Sequence, residues 1–400
     1  VLTDLAKVRY EAGSYDEAMV SLRAAIRLLP DDPVARADLR LDLARTLHRT
    51  GALSRALRET ALGLKLVEGG HSPEARRVTA RLRVVRAGLF ADQFRPRMAL
   101  KVGLRAVEEA EASGELTALA RAYTKIDEAY QILGMRDEAV HEEKALEIFE
   151  QLGDLSGISL LAINLGVQAY SDGRWDDAVS LYTKAQEVGR RAGNTYDEGA
   201  AAANLGEVLI SRGRFDEAET VLEEARRVLR AQKMLGFALF AETQLGRLRM
   251  ERGEHQAAVS ALNLVIDEAR RMGQPFFAVD ASVHLADALT RSGDPLRALE
   301  VVTVTRELAG EDAALYEVPL ERLRAQALVA MDRPDEASSH IERALASARA
   351  QRLAYEEALL LLVKAQTGIG GAEVFEEATR LLEDLGASSP QLDLFPSPTL

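Results

Sequence analysis

The residues of this chain that could do catalytic or metal chemistry are scattered rather than gathered. It contains no cysteine and six histidines, His48, His71, His141, His255, His284 and His340. No two histidines form an HExxH pair or share one helical face, so their spacing argues against a zinc site, and the lack of thiols excludes disulfides and thiolate metal centres. There is no GxxxxGK[ST] phosphate loop, and Gly368-Ile369-Gly370-Gly371 lacks the further glycine and the preceding strand of a dinucleotide fold, so it reads as a broken turn. Nucleophile elbows are missing too. The sequence therefore predicts no catalytic residue, no metal and no cofactor, and the chain is expected not to be an enzyme.

What does recur is a column of residues, each just before a bulky aliphatic one: Asp42, Lys125, Asn164, Asn204, Gln244 and His284. A carboxamide offers a donor and an acceptor that match a peptide unit whatever its sequence. At helical spacing the same face continues three residues on with Arg45, Glu128, Val167, Glu207, Arg247 and Asp287. It continues three beyond those with Gln131, Tyr170, Ile210, Met250 and Thr290. Together these columns make a mixed surface of central amides, flanking charges and an apolar spot at Tyr170, Ile210 and Met250, suited to a segment with matching charge and one or two hydrophobic anchors. The alternative is that Asn164 and Asn204 only hydrogen-bond to the adjacent helix and stabilise the stack.

The elements that hold these columns follow from a repeat of about 40 residues. Gly13-Ser-Tyr15-Asp-Glu-Ala18, Gly173-Arg-Trp175-Asp-Asp-Ala178 and Gly213-Arg-Phe215-Asp-Glu-Ala218 are its clearest copies. Looser ones run Gly51 to Ala56, Gly134 to Ala139, Gly253 to Ala258 and Gly293 to Ala298. Degraded ones run Phe94 to Ala99, Asp332 to Ala337 and Glu373 to Ala378. Upstream of the glycine lie Leu5-Ala6, Leu43-Ala44, Leu165-Gly166, Leu205-Gly206, Leu245-Gly246 and Leu285-Ala286, where one side chain fills a core and the next lets a helix approach closely. Each unit is thus predicted to be two helices. The glycine ends the first in a left-handed conformation, and the acidic pairs Asp16-Glu17, Asp137-Glu138, Asp176-Asp177, Asp216-Glu217 and Asp335-Glu336 open the second and complement its dipole. Trp175, the one tryptophan, heads a second helix, where it is expected to pack in the core.

Composition agrees with an all-α chain: 47% hydrophobic, 28% charged, few aromatics. The net charge of −13 argues against generic nucleic-acid binding, although it is uneven. Residues 31–110 are net basic and residues 111–400 strongly acidic. The band Arg76, Arg77, Arg81, Arg83 and Arg86 could meet a polyanion or an acidic neighbouring domain, or be a solvated helix face. No apolar run approaches the roughly 20 residues of a membrane span, and no leader is recognisable, so a cytoplasmic location without membrane contact is expected. The first residue is Val, which suggests a piece of a longer protein.

Together the small residue in the first helix, the turn glycine and the packing alanines resemble the tetratricopeptide repeat along essentially the whole chain. The resemblance implies an all-α helical-hairpin solenoid, a right-handed superhelix of about ten repeats over residues 1–386. Pro30 alone keeps the family's closing proline. Later units insert about six residues, as in Leu152-Gly153-Asp154 and Ala192-Gly193-Asn194. They look like the repeats of kinesin light chains and of the sensor ends of bacterial signalling ATPases. Residues 130–235 are also similar to the C-terminal region of bacterial proteins that join a class III nucleotide cyclase domain, a STAND-type ATPase and a helical-repeat tail, which implies a regulatory part of a larger signalling protein whose ATPase or cyclase domains would be partners.

In tetratricopeptide arrays the first helices line a concave groove. The resemblance to kinesin light chains carries a peptide-clamping role to Asn164 and Asn204. The expected partner groove is therefore Lys125, Glu128, Asn164, Val167, Tyr170, Asn204, Glu207, Ile210, Gln244, Arg247, Met250, His284 and Asp287, and its ligand a protein or peptide. A small metabolite, as the STAND regulators permit, is the alternative. Residues 387–400 hold three prolines and are expected to be a disordered tail. Within it Gln391, Leu392, Leu394 and Phe395 belong to a pentapeptide similar to those by which bacterial proteins dock on the DNA sliding clamp, which would make the chain a DNA-maintenance adaptor. Otherwise Leu392 and Phe395 cap the last repeat.

Overall fold

The computed structural model describes residues 1–29, 31–310, 314–369 and 371–387. These form twenty α-helices, from Leu2–Glu11 to Gly371–Asp384, with 3-10 turns at Arg136–Glu138 and Ala314–Tyr316 and no strand among the described residues. The fold is all-α and built of helical hairpins of tetratricopeptide type. It divides into two compact units. One comprises Val1–Leu161, Leu229–Gly236 and Arg271–Pro275; the other comprises Ala162–Val228, Phe237–Arg270 and Phe276–Leu400. Pro30 and the tail from residue 388 onward lie outside the described residues.

The hairpin corners form where the turn chemistry demands. At Gly173 (φ 78) the N–H of Arg174 returns to the Ala169 carbonyl at 2.8 Å, and at Gly213 (φ 69) the N–H of Arg214 returns to Leu209 at 2.9 Å, which closes each first helix by a left-handed residue. The same conformation recurs at the degraded corners Phe94 (φ 53) and Asp332 (φ 58), where a side chain makes it strained. Several helices begin with proline, at Pro33, Pro73, Pro96, Pro275, Pro295 and Pro334, whose missing N–H is not needed in a first turn.

Packing then follows the small residues. A Cβ on Gly166 would stand 2.5 Å from the Tyr182 ring, one on Gly206 2.5 Å from Leu222, and one on Gly246 2.8 Å from Leu262. Hydrogen at these positions is what lets the second helix of each hairpin seat its large side chain. The alanines after the corner, such as Ala18, Ala178, Ala218 and Ala258, are fully enclosed. In the second unit Trp175 is buried as expected. It stacks on Tyr170 with centroids 5.7 Å apart, meets Tyr355 edge-on at 5.2 Å, and donates from Nε1 to the Tyr170 carbonyl at 3.2 Å.

Two corners depart from the expected pattern. Glu373 lies inside the helix Gly371–Asp384, with a left-handed residue at Gly371 (φ 58), and the corner at Gly134 is followed by a delayed helix. After Gly134 the acids Asp137 and Glu138 lie in a 3-10 turn, the α-helix begins only at Glu142, and Ala139 is half-buried. The cause is Asp127, almost wholly buried, whose carboxylate accepts from the His141 backbone N–H at 2.8 Å and lies 2.7 Å from its ring Nδ1. Holding His141 there delays the helix by about one turn.

Candidate functional site

Of the expected groove residues, Lys125 and Glu128 belong to the first unit and the rest to the second. In the first unit Lys125 and Glu128 pair on one helix, Nζ to Oε2 at 2.5 Å. Burial lowers the Lys125 ammonium, but the Glu128 carboxylate outweighs it and holds the pKa above its ordinary value. Arg45 and Asp42 also pair within their helix, at 3.6 Å. Part of the basic band of this unit is engaged. Arg81 meets Asp38 at 3.3 Å, and Arg86 donates to the Leu57 carbonyl and to Thr60 Oγ1, each at 3.0 Å.

In the second unit the first helices of successive hairpins are tied together by a polar ladder. Tyr170 Oη lies 2.8 Å from Ser211 Oγ, which accepts from Arg247 at 2.9 Å. Arg291 reaches Glu251 at 3.3 Å and grips Asp287 with two bonds of 3.0 and 3.1 Å. Asp287 also accepts from Gln326 at 3.0 Å, and Arg322 holds Glu356 through two bonds of 2.7 and 3.3 Å. The rungs cross helices Leu155–Ser171, Thr195–Ser211, Leu235–Glu251, Pro275–Arg291, Glu317–Ala330 and Ala354–Gln366. Period explains it: a repeat of about 40 residues puts equivalent positions of neighbouring first helices side by side.

The ladder's charges are set by burial and by each other. Burial lifts the Glu207 carboxyl above its usual range against the pull of Arg247, whose guanidinium lies 4.0 Å away. Burial and then Glu207 push the Tyr170 phenol up. His284 is driven down to about 3, by burial first and Arg247 next, and is neutral at pH 7. For Asp287 burial raises the pKa, but Arg291 and Arg322 overcome it and bring it to about 2. Asp280 behaves oppositely: burial, reinforced by Glu207 and only partly offset by Arg247, pushes it up to about 8.

The amide column divides. Asn204 is buried and its Nδ2 donates back to the Ala200 carbonyl of its own helix at 2.8 Å, so that donor is spent internally. Gln244 is 0% exposed, and neither Oε1 nor Nε2 finds a hydrogen-bond partner among the described residues. Asn164 is half-buried and Val167 exposed. Ile210 and Met250 are buried within the packing, Ile210 in the cluster around Leu209, Leu222 and Leu248, so they do not form an exposed apolar spot with Tyr170. The tail residues Gln391, Leu392, Leu394 and Phe395 lie outside the described residues.

Sequence reasoning missed Ser211, Glu251 and Arg291, which stand seven residues after Asn204, Gln244 and His284, one step further along the same face. It also missed Asp280. A signal was available from Asn164 onward: four residues before Asn164, Asn204 and Gln244 stand Leu160, Ala200 and Phe240, whereas the carboxylate Asp280 stands before His284, as Asp38 does before Asp42.

Residues 157–231 match the tetratricopeptide repeat family. No curated protein matches the chain. Among solved structures it is similar to a Rap protein complexed with competence and sporulation factor, at 12% identity and a TM-score of 0.62, covering 90% of this chain and 99% of that one. It is also similar to aspartyl phosphate phosphatase F from Bacillus subtilis, at 14% identity and a TM-score of 0.51, covering 86% and 92%. A third, NprR in complex with its cognate peptide NprX, aligns at 13% identity and a TM-score of 0.50, covering 76% and 87%. At these identities the likeness is one of fold. Among the described residues no helix is long and apolar enough to cross a membrane, and no group of three His, Asp or Glu is placed to hold a metal ion.

Proposed function

We propose that the chain is a non-enzymatic regulatory binding module that takes an extended peptide segment along the polar ladder of its second unit. The observation that carries this reading is Gln244. An amide so buried costs about 1–3 kcal/mol for each group left unpaired, and the described residues supply partners for neither. A peptide unit has the complementary carbonyl and N–H, and since Gln244 is fully enclosed in the free chain, the neighbouring first helices must part enough on binding to admit it. The repeat of an extended peptide also suits the ladder, because packed helices stand about 8–10 Å apart and about three residues of extended chain cover that distance. The NprR structure, whose fold this chain shares, holds a peptide, which agrees with the reading. A role as the regulatory part of a larger bacterial signalling protein fits the resemblance to the cyclase and STAND-type proteins.

Hydrogen exchange with and without a peptide selected from a random synthetic decapeptide library tests the reading. Protection is expected in Leu235–Glu251 and Pro275–Arg291. Protection confined to second helices such as Phe215–Ala231 would place the ligand elsewhere and overturn it.

A further inference from the structure

On the ladder every buried carboxylate except one has a guanidinium. Glu207 faces Arg247, Glu251 and Asp287 share Arg291, and Glu356 is held by Arg322. Asp280 is the exception: its Oδ2 is enclosed and has no hydrogen-bond partner among the described residues. Arg247 acts on Asp280 only at a distance, since its own bonds go to Ser211 and towards Glu207. Nor does His284, one turn along the same helix, supply a cation, because it stays neutral. Five carboxylates therefore meet three guanidinium groups, two cations too few, and among the described residues Asp280 is the one carboxylate of the ladder left without a guanidinium beside it. The unpartnered Gln244 amide stands on the adjoining first helix, one turn before Arg247.

Deepening the peptide reading, on which this rests, we propose that Asp280 and Gln244 form a subsite for a cationic group of the bound peptide. Asp280, mostly protonated in the free chain at neutral pH, gives up its proton to solvent as the cation enters and supplies the counter-charge, and Gln244 hydrogen-bonds the peptide unit beside it. The cation is either a Lys or Arg side chain or the peptide's terminal ammonium. Glu207, whose charge also acts on Asp280, adds to the attraction, and Arg247 repels a cation placed too near Ser211, which fixes where along the ladder it sits.

The test is a positional-scanning library of synthetic decapeptides in which each position in turn is Arg, Lys, citrulline or norleucine, with free and with acetylated N-termini, bound to wild type and to Asp280→Asn. Wild type is expected to prefer Arg or Lys over citrulline at one position by roughly tenfold or more, as a charge-assisted bond requires. Loss of the preference on acetylation instead identifies the terminal ammonium as the cation. Asp280→Asn is near-isosteric and is expected to bind the same peptides with that preference reduced to within about twofold. Peptides that bind wild type with no cation preference, or a preference that survives in Asp280→Asn, overturn the subsite while the peptide reading stands. If no decapeptide binds wild type, the peptide reading fails and the subsite with it.

Discussion

The two units carry the same repeat and the same face, yet they settle their charges differently. In the first, Asp42 and Lys125 each pair three residues along their own helix, and the Asp42 and Arg45 side chains stay over 40% exposed. The guanidinium groups of Arg81 and Arg121, which cross between elements to Asp38 and Asp154, remain about a third exposed. In the second, the guanidinium groups that cross from helix to helix along the ladder, Arg247, Arg291 and Arg322, are nearly enclosed, and the Gln244 amide and Asp280 Oδ2 have nothing to bond among the described residues. A pair closed within one helix contributes little and asks nothing of a ligand. A buried ladder with gaps is sensitive to loss of any member and prepared for a group from outside.

The largest expected difference comes from removing one cation in each unit. Arg247→Met leaves Glu207 buried without its guanidinium and should destabilise by on the order of 3 kcal/mol, whereas Lys125→Met should cost less than about 1 kcal/mol. Urea unfolding of the two variants measures both, and equal losses would erase the contrast.

A smaller effect is the pH response of two aspartates seven residues apart on one helix. Asp280, raised to about 8, is most favourable to folding below the ordinary carboxylate pKa; its stability is lost as pH rises from there and the loss is complete above about 8. Asp287, lowered to about 2, has the opposite sign, with its stability present above the ordinary value and lost as pH falls towards 2. Asp280→Asn should therefore flatten the decline between pH 4 and 8, by at most about 1.4 kcal/mol per unit, and leave the acid limb unchanged. An unaltered slope in urea melts across that range would show that Asp280 is not the titrating group.

The smallest contrast lies at the strained corners. Asp332 is exposed at φ 58, so Asp332→Gly should gain up to about 1 kcal/mol by relieving the left-handed backbone. Phe94, at φ 53 in the first unit, is buried, and Phe94→Gly should lose more in packing than it gains in backbone. Thermal melts that move in the same direction for both would contradict this balance.

The hairpins were legible because their corners announce themselves: a left-handed residue, an alanine that packs, and a small residue that admits Tyr182, Leu222 or Leu262. The degraded corners at Phe94 and Asp332 kept their backbone, whereas Glu373 falls inside a helix that starts at Gly371. The helix start after Gly134 was not legible, because it is decided by Asp127, which lies before the corner and captures His141. The candidate site was legible in part. The spacing put Tyr170, Glu207, Arg247 and Asp287 on one face, and the ladder uses them all. Whether a position on that face meets solvent or a neighbouring helix depends on the angle between hairpins, which spacing does not carry. For that reason Ile210 and Met250 are found inside the packing, and the rungs through Ser211, Glu251 and Arg291 went unseen.

The most direct measurement is the anisotropy titration of a library-selected, fluorescein-labelled decapeptide against wild type and Gln244→Leu, alongside their urea unfolding. Removing two unpaired buried groups should leave Gln244→Leu as stable as wild type or more so, while its affinity falls by roughly tenfold or more. A Gln244→Leu protein that folds and binds the peptide as tightly as wild type would contradict the account.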